Sequence, residues 1–213
     1  MTISRRILLS AAAIGAVGLL AVPQLGFASG VQVGQPAPAF SAKDTNGKTV
    51  SLADLKGKTV VLEWSNHECP FVKKHYTGNN MQALQKKWTG QDVVWLTIVS
   101  SPVGEQGYVD AAQANKLTVD RGAAPSAVLL DPKSQIARAY GATVTPHMYV
   151  IDKTGKLAYA GGIDDKPSTR VDDLAGAKNY VDSALTELAQ GKAVSTATSR
   201  PYGCTVKYAP PTT

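Results

Sequence analysis

The chain has only two cysteines, three histidines and three methionines in 213 residues. Two cysteines are too few for a scaffold held together by disulfides. Haem attachment is excluded, because no Cys-x-x-Cys-His run is present. No methionine-rich or histidine-rich run offers a soft-metal site. The formal charge of +6 is spread without a dense Arg/Lys stripe, which argues against a nucleic-acid partner. No internal repeat is present. What remains is an apolar content sufficient for an ordinary core, and one cysteine in an unusual setting.

The first residues read as an export signal. Ser4-Arg5-Arg6-Ile7-Leu8-Leu9 is followed by an apolar, small-residue stretch from Ala11 to Val22, and Gly26-Phe27-Ala28 offers a small-residue cleavage site. The arginine pair points to twin-arginine export. A retained membrane anchor is the alternative, disfavoured by the short stretch and its several Gly and Ala. Cleavage after Ala28 leaves 185 residues, one domain's worth, and lowers the charge to +4 as Arg5 and Arg6 are lost. The expected location is periplasmic or secreted, where a disulfide persists. The expected division is a signal peptide over 1–28, one domain over 29–191, and an extended tail over 192–213.

Along that domain, Gly34-Gln35-Pro36-Ala37-Pro38 cannot be helix interior. Asp44-Thr45-Asn46-Gly47-Lys48 is a turn leading to a short strand from Lys48 to Ser51. Val60 to Trp64 and Val93 to Val99 are apolar and β-branched, as buried strands are. A helix is expected from Phe71 to Trp88, a second from Val109 to Lys116 and a third from Lys133 to Tyr140, stopped by Gly141. Strands at Ala127–Leu130, His147–Ile151 and Lys156–Tyr159 follow, the last two joined by Asp152-Lys153-Thr154-Gly155 as an antiparallel pair. A long helix is expected from Val171 to Ala189. The order β-α-β-α-β-α-β-β-α predicts an α/β fold, a mixed sheet covered by helices on both faces.

Cys69 stands where the strand ending at Trp64 gives way to a helix. Pro70 at the first helical turn fixes it there. Unpaired amides at a helix N-terminus stabilise a thiolate, so Cys69 is the candidate nucleophile, with Lys73 and Lys74 adding positive field or serving only as solvated surface charges. His67, Cys69 and His75 invite a metal reading, but a second local thiol is missing, so no metal site is expected. Cys204 lies in Pro201-Tyr202-Gly203-Cys204-Thr205, an aromatic, glycine and cysteine group that a polar tail keeps only if it docks somewhere. Three fates are open for it: a resolving thiol for Cys69, a permanent structural bond to Cys69, or a free or intermolecular thiol. A direct bond requires Cα atoms within about 7 Å.

Four segments carry a family resemblance. They are Gly34-Gln35-Pro36-Ala37-Pro38-Ala39-Phe40, Val60-Val61-Leu62-Glu63-Trp64 leading to Cys69-Pro70-Phe71-Val72, Val144-Thr145-Pro146-His147, and Val150 through Gly162. Together they resemble the redoxin, peroxiredoxin-related (AhpC/TSA-like) branch of thioredoxin-like proteins, over about residues 31 to 190. The resemblance implies a three-layer thioredoxin-like sandwich and an exported thiol-disulfide oxidoreductase. Cys69 is then the nucleophile and Cys204 the resolving thiol. Thr145 and a cis Pro146 pair with the incoming chain, with Pro70 and Trp64 beside it. Glu63 matches a buried proton-shuttling acid; a strand-edge glutamate paired with a lysine is the alternative. The implied partners are a protein or small-molecule disulfide, or a peroxide, and a thiol electron donor. Thiol chemistry alone needs no cofactor. The chain departs from thioredoxins in having Val72 where their second cysteine stands, and from peroxiredoxins in having Asn66 where they carry threonine. Asn66 is the candidate donor to a peroxide, and Arg121 and Arg138 are candidates for an arginine near the sulfur. A thiol peroxidase, and a binding module whose Cys69–Cys204 bond only staples the tail, are the other readings.

Overall fold

The computed structural model describes residues 30–211. The expected signal segment lies outside the described residues. Among those residues no helix is long and apolar enough to cross a membrane.

The Asp44 turn closes a small antiparallel hairpin between β1 (Ser41–Lys43) and β2 (Thr49–Ser51). Its carboxylate accepts from the amides of Asn46 and Lys48, while Gly47 supplies the positive φ the turn needs. The strand β3 (Val60–Trp64) is buried at all five positions. A strand without polar alternation is covered on both faces, and β3 lies at the centre of the main sheet, parallel to β4 (Val94–Val99) and antiparallel to β7 (His147–Ile151). β5 (Ala127–Leu130) and β8 (Leu157–Gly161) complete it, in the order β5-β4-β3-β7-β8.

Helices cover both faces. Val61 of β3, with Met148 and Val150 of β7, packs on one face against α1 (Pro70–Thr77), α2 (Asn80–Thr89) and α5 (Tyr180–Ala189). Leu62 and Trp64 face the other way, into a core shared with α4 (Gln135–Tyr140) and the lead-in residues around Phe40. The period-two alternation of the strand makes this division. α3 (Ala111–Asp120) lies against β5. Asp110 caps α3 in a reciprocal capping box with Gln113.

Two expected helices are each divided. The stretch Phe71–Trp88 breaks at Gly78 and Asn79, where Asn79 takes the left-handed conformation and a side chain at Gly78 would overlap Leu174. The stretch Val171–Ala189 is a 3-10 turn, Val171–Gly176, followed by α5, whose start is fixed by the Asn179 side chain accepting from the Asp182 amide. Periodicity ran through both breaks; the local glycine and asparagine chemistry decided them. The tail also yields an element with no periodic signal: β9 (Cys204–Thr205) pairs antiparallel with β6 (Val144–Thr145).

Truncating the centre of β3 tests the two-faced core. Leu62→Ala removes a fully buried side chain and is expected to cost about 2–5 kcal/mol in denaturant unfolding, with the dependence on denaturant unchanged.

Candidate active site

The loop between β3 and α1 is pinned at each turn. The Ser65 amide donates to Ile98 O (2.9 Å), the Cys69 amide to Asn66 O (3.1 Å), and the Glu68 amide to Asn66 Oδ1 (2.9 Å). Arg121 reaches across to His67 O (3.2 Å), and Glu68 accepts from the Gly107 amide (2.6 Å). Cys69 is the N-cap of α1, Pro70 is its first residue, and the Lys73 amide makes the first helical bond to Cys69 O. Pro70 has no amide to lose at that position, so the junction is stable there.

Cys69 is fully buried and bonded to Cys204, 135 residues away, with the two Cα atoms 5.9 Å apart. The partner arrives by strand pairing: Cys204 lies opposite Thr145 in the β6–β9 register, and the Val206 amide donates to Thr143 O. The Thr145–Pro146 peptide bond is cis. The Cys69 sulfur sits 3.2 Å from the Thr145 carbonyl oxygen. Gly203 is essential to this approach. Its φ is +145°, and a Cβ there would overlap the Thr145 carbonyl. Upstream, the Ala160 amide donates to Ala197 O and the tail runs parallel to β8 at Thr198.

The other expected residues fall into two groups. Thr145 and Pro146 are buried beside the sulfurs, and Pro70 is exposed next to them. Glu63 is fully buried on the Cys69 side of the central strand, with no lysine partner; Tyr76 Oη (2.8 Å), Trp95 Nε1 (2.8 Å), Gln85 Nε2 (3.1 Å) and Thr97 Oγ1 (3.1 Å) donate to it. Burial pushes its pKa up, against the pull of those four donors. Trp64 does not line the site. It points into the opposite core, packs against Tyr140 and Tyr149, and donates to Ser100. The one-residue offset along the strand puts it there, since alternate side chains leave opposite faces. The Asn66 side chain accepts from the Glu68 amide (2.9 Å) and donates one of its two amide hydrogens to Gln106 O at 3.5 Å. Arg121 stacks on Tyr76 and Arg138 on Tyr208, and neither bonds the sulfur.

Lys73 is exposed, but Lys74 is buried. His75 is buried too, its pKa pushed down to about 3 by burial and then by Lys74. It takes a hydrogen bond from Asn80 on Nδ1 and lies 3.2 Å from Tyr202 Oη on Nε2, so it is committed to the fold. His67 borders a small cavity with Arg121 and Tyr76, away from His75. Asp164, buried beside Lys74 and Tyr202, had no signal in the sequence. Tyr202 had one, the aromatic-glycine-cysteine grouping.

Residues 33–160, more than half of the chain, match the AhpC/TSA family. The chain belongs to the AhpC/TSA family. Among its relatives, the thiol-disulfide oxidoreductase ResA of Bacillus subtilis is 28% identical over 127 residues, which cover 60% of this chain and 65% of ResA. The match thus spans just under two thirds of that relative. A crystal structure of an uncharacterized conserved protein from Geobacillus kaustophilus superposes with a TM-score of 0.74 at 26% identity, covering 85% of this chain and 94% of that one. A putative thiol:disulfide interchange protein DsbE from Chlorobium tepidum has a TM-score of 0.50 at 24% identity, covering 61% and 84%, and shares the fold. The AhpC/TSA segment ends at Ala160; the tail with Cys204 lies beyond it.

Two measurements address this geometry. Gly203→Ala is expected to leave the fold intact but slow closure of the Cys69–Cys204 bond by about tenfold or more, read by alkylation of thiols during reoxidation. Glu63 gives a pH dependence. Its folded pKa lies above its unfolded value, so the folded state holds the proton longer and stability falls as pH rises from the unfolded value through the folded one. The slope approaches about 1.4 kcal/mol per pH unit inside that window. Glu63→Gln should abolish that slope, as read by denaturant unfolding across pH.

Proposed function

We propose that the protein is a thiol-disulfide oxidoreductase working outside the cytoplasm, with Cys69 as nucleophile and Cys204 as resolving thiol. The observation that carries this is the Cys69–Cys204 bond held across a strand pair at Thr145, next to the cis Pro146. The kinship with ResA and the arginine pair of the first segment support the activity and the location.

The Cys69 thiolate, favoured by the amides at the start of α1, attacks one sulfur of a substrate disulfide. That bond breaks, the leaving thiolate takes up a proton, and a mixed disulfide forms on Cys69. The Cys204 thiolate then attacks the Cys69 sulfur. The second substrate thiolate leaves and is protonated, and the Cys69–Cys204 bond closes. Two electrons and two protons have passed to the substrate. A thiol donor returns them by opening the bond. The edge of β6 that receives the tail is where an extended substrate chain would pair, so the tail leaves before a polypeptide enters. Disulfide exchange is favoured over peroxide reduction by the kinship with ResA and by Asn66 standing where peroxiredoxins carry threonine.

An aromatic disulfide such as 5,5′-dithiobis(2-nitrobenzoate) separates the steps. The reduced native chain is expected to release two equivalents of coloured thiolate and end with Cys69 bonded to Cys204. Cys204→Ser should stop after one, with the aromatic thiol attached to Cys69, and Cys69→Ser should form no adduct at position 69 and close no bond. A native bond that resists mild dithiols would instead make the tail a permanent staple.

A further inference from the structure

We propose that Tyr202 is a positioning residue for this thiol pair: its hydroxyl, seated between Lys74, His75 and Asp164, holds Cys204 within bonding reach of Cys69. The proposal rests on Cys204 as partner of Cys69, not on which substrate the pair reduces.

Upstream, the tail is held by main-chain bonds at residues 197–199 against β8, and downstream by the β6–β9 pair and Val206. Between these, among the described residues, 200–203 make no main-chain hydrogen bond, and Pro201 has no amide to give. The crossing is fixed instead through one side chain. Tyr202 Oη donates to Asp164 Oδ1 and accepts from Lys74 Nζ and His75 Nε2, each at 3.2 Å. Its ring lies edge-on to Phe71 at 5.8 Å and under Lys74 Nζ at 5.1 Å. Phe71, Lys74 and His75 all belong to α1, the helix that Cys69 caps. One phenol therefore ties the tail two residues before Cys204 to the element that holds Cys69.

The surroundings give the hydroxyl leverage. Lys74, His75 and Asp164 are buried, so water does not replace Tyr202 without rearrangement. Among the described residues, Lys74 Nζ has only the Lys166 carbonyl (2.7 Å), Tyr202 and the Asp164 carboxylate at 3.7 Å. Among the described residues Asp164 Oδ2 lacks a hydrogen-bond partner, and Oδ1 is held by the phenol and the Lys166 amide (2.9 Å). Burial and then Asp164 hold the phenol protonated well above its ordinary range, which keeps it a donor. The dependence works both ways: the cluster holds the tail, and the tail satisfies the cluster.

Closing the bond takes two electrons and two protons from Cys69 and Cys204. In an equilibrium with dithiothreitol they pass to oxidised dithiothreitol, which becomes the dithiol. An anchor present in the closed chain and lost when the tail departs favours closure. Tyr202→Phe keeps the ring against Phe71 and deletes the hydroxyl. It is expected to lower the closure constant about ten- to a hundredfold, the range for hydrogen bonds to charged groups. That corresponds to a potential less negative by about 30–60 mV. Tyr208→Phe is the comparison. Its hydroxyl donates to Ala142 O (2.6 Å) and Ala137 O (3.1 Å), neutral acceptors downstream of the strand pair, and its loss is expected to shift closure less than tenfold. Thermal unfolding of the reduced variants should match the reduced native chain. An unchanged closure constant in Tyr202→Phe, or an equal shift in Tyr208→Phe, would overturn the assignment. Reversible titration with the expected shift but no turnover of any second disulfide would retire the exchange reading and leave this one standing.

Discussion

The antiparallel pairing of Cys204 with Thr145 is the constraint on which the site depends. Cys69 is fixed by the core: it ends a loop pinned to the central strand and begins a helix packed across the sheet. Nothing in that half of the site could close a disulfide alone, since Val72 occupies the next inward position of the helix turn and is buried in the core. The second sulfur has to be brought from outside, and a backbone strand is the device that sets both its distance and its direction. Side-chain contacts alone would leave the register free; pairing with β6 removes that freedom, and Gly203 lets the two chains close to contact.

The same arrangement reconciles two opposed demands on Cys69. A reactive thiol needs access, whereas a residue at the base of α1, between Val61, Val72 and Met148 on the same face, is surrounded by apolar side chains. The tail makes access conditional. When it is docked, Cys69 has no exposed surface. In the proposed mechanism its departure uncovers the sulfur together with the edge of Val144 and Thr145, which an extended chain would pair with. In that mechanism, cover and recognition edge are one surface, used alternately.

How much of this could be read from the residues depended on whether a signal was local. The β3–Cys69–Pro70 junction was legible because a buried strand, a cysteine and a first-turn proline follow one another. The strand pair around the Asp152 turn was legible for a similar reason. Trp64 was misplaced because its role was carried over from the family resemblance, while its face is set by alternation along β3. The breaks at Asn79 and before Tyr180 were missed because apolar periodicity continued through them; only the left-handed Asn79 and the Asn179 cap that starts α5 mark them. Asp164 and the buried state of Lys74 were invisible, because Lys74 finds Asp164 and Tyr202 in segments 90 and 128 residues away. In Cys204 the sequence left three fates open, and it took the strand pairing to bring the two cysteines together.

Thermodynamic linkage joins the stability of the bond to that of the fold. A cross-link over 135 residues could add about 5 kcal/mol by restricting the unfolded chain. A bond that stabilised the fold by so much would be stabilised by the fold to the same extent, and would behave as a staple against ordinary thiols. That reciprocity applies in full only when opening the bond means unfolding the chain. Here the central sheet and its helices form from residues that precede the tail, and the tail adds to the two cores only the buried Val206 and the partly buried Val194, Tyr202, Cys204 and Tyr208. Opening the bond need release only the docked tail. A two-residue strand is weak by itself, so the relevant energy is that of a few anchors: Tyr202, Val206 and Tyr208. The coupling between redox state and structure is therefore confined to the tail, and a bond with that limited coupling can be both formed and opened while the rest of the molecule stays folded.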